Sequence, residues 1–188
     1  KLPLLYTLDN ENSDYTLLKK SLANNKIAYW DLLSYYKVID DTARFPIYSK
    51  TSAHWTTYGA HFTLLKLLND MSVFFNGDMP NLAVKSFKKE KFKGGDGDHE
   101  QTLNLINRID NKDFLYPAYK IDSSKNKTFK PKVITIGDSF YWALKSCWML
   151  PYIYKKDSKY LYYFSTVYYN NDYTKSHSID SLNIVEEI

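Results

Sequence analysis

A compact apolar run leads into Gly137-Asp138-Ser139-Phe140 in the segment Val133-Ile134-Thr135-Ile136-Gly137-Asp138-Ser139-Phe140. The run reads as a buried central strand. Ser139 to Leu150 then fit a helix ended by Pro151. Such an arrangement brings a serine hydroxyl to the carboxyl end of a strand, where open α/β sheets hold their ligands. Free backbone N–H groups at a helix start also favour an oxyanion. Serine is a weak nucleophile until a base takes its proton. The plainer reading is that Asp138 or Ser139 only caps the helix, since both residue types are preferred there. A base is offered by the segment Lys50 to Ala60, where His54-Trp55 stands at the turn before a long apolar helix. Histidine is the usual general base near neutral pH. The two segments lie 85 residues apart, so only the fold can join them.

Other reactive residue types read as ordinary structure. Asp172 and His177 follow the serine but read as loop and cap residues. Asp96, Asp98, His99 and Glu100 lack the further ligands of a calcium loop and fit a solvated turn, so no metal site is expected. Cys147 lies on an apolar helix, with no basic neighbours to activate its thiol. His61, in mid-helix, reads as structural. No sequence pattern calls for a cofactor.

Composition bounds the rest. The 188 residues are enough for one domain, here 1–188, with a core that needs no staples. The chain starts at Lys1, and the amphipathic pattern from Ser178 to Ile188 stops midway, so a fragment of a longer protein is expected. A net charge of +4 is too mild for the basic stripe of a nucleic-acid protein. A single cysteine excludes an internal disulfide framework. Eighteen tyrosines stand out, and tyrosine serves both cores and sugar-binding surfaces.

The elements that would position the serine and histidine follow an α/β rhythm. A helix is expected from Tyr15 to Asn24, capped by Ser13 or Asp14, then a short strand at Lys26–Trp30 and a helix after Asp31. Arg44 to Lys50 reads as extended. Thr56 or Thr57 opens a helix to about Val73, Leu82–Lys93 reads as an edge strand, and Gly94 to Asp98 as a loop. Thr102 to Ile109 fits a short helix, and Asn111 to Lys132 a surface excursion. Tyr160 to Tyr169 reads as one strand. If it runs parallel to the serine strand, Tyr168, Tyr169 and Asn170 emerge beside Ser139, where they could stack on a sugar ring. Trp55, Tyr141 and Trp142 are further candidates for the pocket wall.

Together, strand-Gly137-Asp138-Ser139-Phe140-helix resembles the nucleophile block of the SGNH hydrolase superfamily. His54-Trp55 with Gly59-Ala60, ahead of the serine, resembles the permuted, alginate O-acetyltransferase-like branch (AlgX/AlgJ, DHHW type). Lys93-Gly94-Gly95-Asp96 resembles a Gly-Asp loop carried between the two blocks. The resemblance covers about residues 1–170. It implies a three-layer α/β fold with a mainly parallel central sheet, and an extracytoplasmic enzyme that moves acetyl groups onto a polysaccharide. Ser139 would be the nucleophile, His54 the base, and a membrane-bound O-acyltransferase the source of acetyl groups.

One position departs from the pattern. The aspartate expected two residues before the histidine is Ser52. Such an acid orients the imidazole, and its loss costs several powers of ten in rate. Ser52 itself could accept the imidazole N–H. Alternatively, Asp40, Asp41, Asp96 or Asp98 could reach in from a loop. Or the site is silent, and the protein only binds glycans or scaffolds an assembly. The same chemistry with water as acceptor would make a carbohydrate esterase.

Overall fold

The computed structural model describes residues 13–40, 43–77, 79–91, 94–103, 113–121, 129–147, 149–163 and 165–179. The chain divides into two compact units, Lys1–Ile47 and Tyr48–Ile188.

The first unit carries α1 (Asp14–Asn24) and α2 (Leu32–Asp40). The Ser13 hydroxyl caps α1 by accepting from the Thr16 amide. Asp31 does the same for α2, accepting from the Ser34 amide at 3.0 Å and binding the Lys19 ammonium at 2.6 Å. The strand expected at Lys26–Trp30 does not form. Lys26 turns at a φ of 55°, the Ile27 amide bonds back to Leu22, and Asp31 opens the next helix, which leaves too few residues to pair.

The second unit holds α3 (Thr57–Phe75), an antiparallel ribbon of β1 (Leu82–Glu90) and β2 (Phe114–Ile121), and a four-stranded sheet. A 3-10 turn at Gly94–Gly97 runs into the short α4 (Asp98–Thr102). The sheet comprises β3 (Ile134–Gly137), β4 (Lys159–Tyr162), β5 (Thr166–Tyr169) and β6 (Lys175–Ser178), in that order. Between β3 and β4 lie α5 (Tyr141–Ser146) and α6 (Leu150–Ile153). Helix α3 packs against β2 and α5. Buried Leu144, Leu150, Ile153, Tyr160, Leu161, Val167 and Tyr173 form the core around the sheet. Among the described residues no helix is long and apolar enough to cross a membrane.

The described residues are therefore α/β with two sheets, one antiparallel and one mixed. The expected mainly parallel central sheet is not what the described strands form. Only β3 and β4 are parallel, whereas β4/β5 and β5/β6 are antiparallel. The cause lies in Tyr160–Tyr169, which is a hairpin rather than one strand. The chain reverses at Tyr163, with a φ of 48°. No glycine, proline, asparagine or aspartate marks that turn, and Ser165, which closes it on the Tyr162 carbonyl, is the one usual turn residue in it. Strand β3 is not a buried central strand either. It lies at the edge of the described sheet, and Ile136 is 49% exposed.

Two further expectations change. The stretch read as a surface excursion contains β2, whose Pro117 stands opposite Phe87 in the ribbon. Pro151 does not end the helix that follows Ser139. It sits in the first turn of α6, where its missing N–H costs nothing. The helix after Ser139 is thus two short helices. Residues 104–109 and 180–188 of the other expected helices lie outside the described residues.

Candidate active site

The nucleophile candidate is held by a tight turn after β3. The Asp138 carboxylate accepts the Phe140 amide at 3.0 Å, and the Tyr160 hydroxyl donates to the Asp138 carbonyl. The Tyr141 and Trp142 amides bond back to the carbonyls of Asp138 and Ser139. Among the described residues the Ser139 amide has no backbone acceptor, and Ser139 lines a groove. Because β3 and β4 are parallel, the residues after Gly137 and after Tyr162 leave the sheet at the same edge.

The histidine segment is held by contacts of its own. Tyr48 and Trp55 form an isolated antiparallel bridge, and the Thr56 hydroxyl caps α3 by accepting from the Gly59 amide. His54 therefore stands directly before the bridge residue and the helix cap, which together hold its backbone. The Trp55 indole N–H donates to the Phe140 carbonyl at 3.1 Å, and its ring meets the Phe140 ring edge-on at 5.6 Å. This tie brings the two distant segments together. His54 Nε2 lies 2.7 Å from Ser139 Oγ.

The far nitrogen of the imidazole faces Asp98, with Nδ1 2.9 Å from Oδ2. An ionised carboxylate only accepts, so Nδ1 carries the proton and Nε2 is left to accept from the serine hydroxyl. Burial pushes the Asp98 carboxyl up, but the nearby Ser52 hydroxyl, the His54 imidazole and the His99 amide outweigh it and hold the group below the usual carboxylate range. Two further bonds zip the segments: the His99 amide to the Thr51 carbonyl at 3.0 Å, and the Ala53 amide to Asp98 Oδ1 at 3.3 Å.

Ser52 does not take the place of the motif acid at the imidazole. Its hydroxyl donates to the Gly95 carbonyl at 2.7 Å and accepts the His54 amide at 3.0 Å. It fastens the loop that carries Asp98. Of the other carboxylates, Asp96 is buried beneath the start of α3, where it accepts the Thr57 amide at 2.9 Å. Burial raises its carboxyl against the opposing bonds from Tyr116 and Thr57. Asp40 ends α2 in the first unit, and Asp41 lies outside the described residues.

A groove of about 530 Å³ opens over the serine. His54, Trp55, Asp98, Tyr116, Ser139 and Trp142 are among its walls. Of the expected wall residues, Trp55 and Trp142 line this groove. Tyr141 does not: its hydroxyl points into the core, 3.0 Å from that of Tyr173 and 3.2 Å from that of Thr135. Tyr168, Tyr169 and Asn170 are also misplaced. They rest on the parallel-strand assumption, and the antiparallel β5 carries them to the opposite end of the sheet. There the Tyr169 hydroxyl meets His177 Nδ1 at 2.6 Å, while Tyr168 packs against the edge of Trp142 at 4.7 Å.

The residue that takes their place is Tyr163, in the β4–β5 turn, with its hydroxyl 3.5 Å from Ser139 Oγ. Its position depends on a turn whose one usual sequence signal is Ser165. Cys147 lines the groove but is buried, and burial pushes its thiol up to about 12. Among the described residues, no group of three His, Cys, Asp or Glu side chains could hold a metal ion.

No protein-family model matches the chain. None of the curated proteins matches it either. Among solved structures it is similar to the O-acetyltransferase domain of Pseudomonas putida AlgJ, at 18% identity and a TM-score of 0.47. That match covers 73% of this chain and 51% of the other, so the chain spans about half the length of that neighbour.

Proposed function

We propose that this chain is a serine-dependent O-acetyl transfer enzyme of SGNH type that acts on a polysaccharide outside the cytoplasm. The observation that carries the proposal is the line Asp98–His54–Ser139, with contacts of 2.9 and 2.7 Å at the mouth of an aromatic-walled groove. The polysaccharide, the extracytoplasmic setting and a membrane-bound O-acyltransferase as acetyl donor rest on the motif resemblance alone.

The chemistry runs in two halves. Ser139 Oγ attacks the carbonyl carbon of an acetyl ester while its proton passes to His54 Nε2. Asp98 stabilises the imidazolium that forms. The carbonyl electron pair moves onto oxygen, close to the Ser139 N–H. As the adduct collapses, His54 returns the proton to the departing alcohol, leaving acetyl-Ser139. A sugar hydroxyl then attacks the acetyl carbon, with His54 again taking the proton and returning it to Ser139.

Water in the acceptor's place makes the same site an esterase, and the open groove admits it. The glycan-binding reading without catalysis has less support. It leaned on Ser52 in the motif position, and Asp98 supplies an acid at the imidazole.

The test is intact-mass measurement after incubation with an aryl acetate. One added acetyl on the native chain, absent from Ser139→Ala, is the expected result. If oligosaccharide acceptors then gain acetyl no faster than acetate is released without them, the transferase reading gives way to the esterase. No adduct and no ester turnover would sink both.

A further inference from the structure

The Ser139 N–H is one donor for the tetrahedral oxyanion, and a second has to come from elsewhere. We propose that the Tyr163 hydroxyl is that second donor, an inference that rests on the acyl-transfer reading of Ser139.

Three observations converge on it. Tyr163 follows β4 at the same sheet edge at which Ser139 follows β3, and its amide donates to the Gly137 carbonyl at 3.1 Å. The turn is therefore tethered two residues from the nucleophile. The ring packs against Tyr162 at 4.4 Å, which aims the phenol. The backbone φ of 48° lies in a region that side chains rarely occupy. A tyrosine stands there nonetheless, and its hydroxyl is 3.5 Å from Ser139 Oγ. That separation leaves room for the oxyanion, which forms two bonds away from Oγ, on the carbon that Oγ attacks. Strained residues of this kind cluster at functional sites.

In the step itself, Ser139 Oγ bonds to the acetyl carbon and the C=O pair moves to oxygen. The Ser139 N–H and the Tyr163 O–H then donate to that oxygen. Tyr163 keeps its proton throughout, so it is a donor and not the acid. When the adduct collapses, the leaving C–O bond breaks and the C=O bond reforms. His54 supplies the leaving group's proton.

The experiment compares wild type with Tyr163→Phe, which removes one exposed oxygen. Two rates are read at Ser139 by intact mass: acetylation by an aryl acetate and phosphonylation by a fluorophosphonate, whose adduct carries the same kind of oxygen. Both rates are expected to fall at least tenfold in the variant, toward the ~100-fold cost of losing one oxyanion donor. The melting temperature is expected to stay unchanged. Equal rates in the two proteins, or a slowed variant with a lowered melting temperature, overturn the assignment. If wild type takes the phosphonate but not the acetyl group, the acetyl-transfer reading fails and Tyr163 is judged on the phosphonate rates. A serine inert to both reagents overturns both.

Discussion

Asp98 lies 2.9 Å from the imidazole of His54, although 44 residues separate them. The loop carrying it is fastened to the histidine segment by Ser52, whose hydroxyl spans the His54 amide and the Gly95 carbonyl. The two residues thus have separable roles, one at the imidazole and one in the scaffold.

Removing each separates those roles. Asp98→Ala is expected to slow acetylation of Ser139 by about 10³–10⁴, the scale of losing a triad acid. Ser52→Ala loses hydrogen bonds of about 1 kcal/mol each and should slow the reaction far less. Measuring both variants side by side against an aryl acetate decides the point. The opposite ranking would return the acid's role to Ser52.

Asp96 acts beneath the site. It accepts the Thr57 amide at the start of α3, and Thr57 is three residues from His54. Asp96→Ala strands a buried donor at a cost of about 2 kcal/mol. Asp96→Asn keeps an acceptor and should cost less. Urea unfolding of the two variants tests this, and equal midpoints would mean that Asp96 is idle.

His61 gives a pH signature that is independent of catalysis. Burial lowers its pKa to about 4 from an unfolded value of 6.5, with Nδ1 2.8 Å from the Tyr119 hydroxyl. The unfolded chain therefore binds a proton in a range where the folded one does not. The stability tied to neutral His61 is fully present above pH 6.5. It is lost as the pH falls toward 4, by at most about 3 kcal/mol in all. Unfolding free energies of wild type and His61→Asn between those limits should converge as the pH drops. Parallel curves would exclude His61 as the source.

Gly137 belongs to the Gly-Asp-Ser block, yet the structure leaves room for a side chain there. A Cβ would meet the Tyr160 ring at 3.9 Å, an ordinary contact. Gly137→Ala is expected to fold, melt within a few degrees of wild type, and keep its rate of Ser139 acetylation within about fivefold, as substitutions away from special features do. A collapse in either measurement would show that the turn needs glycine for its backbone.

The local elements were legible in the sequence where capping residues and period agreed. Ser13, Asp31 and Thr56 announce α1, α2 and α3 through side chains that bond their own first turns. Strand pairing was less legible, because alternation identifies a strand but not its partner or direction. The turn at Tyr163 sits in a stretch dominated by aromatic and β-branched residues with only Ser165 as a turn former, so the hairpin was hidden, and the positions of Tyr168, Tyr169 and Asn170 went wrong with it. Lys26–Trp30 has strand-like residues but no room to pair between two helices. At the site, Ser139 and His54 could be singled out because each stands beside a recognisable element. Asp98 could not be told from Asp96 two residues earlier. Their separation, one at the imidazole and one beneath α3, is made by the 3-10 turn at Gly94–Gly97.

Cys147 gives the groove a built-in sensor. Its sulfur is buried although it lines the groove, and burial raises its thiol to about 12, so iodoacetamide is expected to react slowly with the native chain. Any alkylation then counts the moments when α5 lifts off its bed. Opening of the helix that carries Trp142 and ends at Cys147 can thus be timed on the unaltered polypeptide, with no dye or engineered probe.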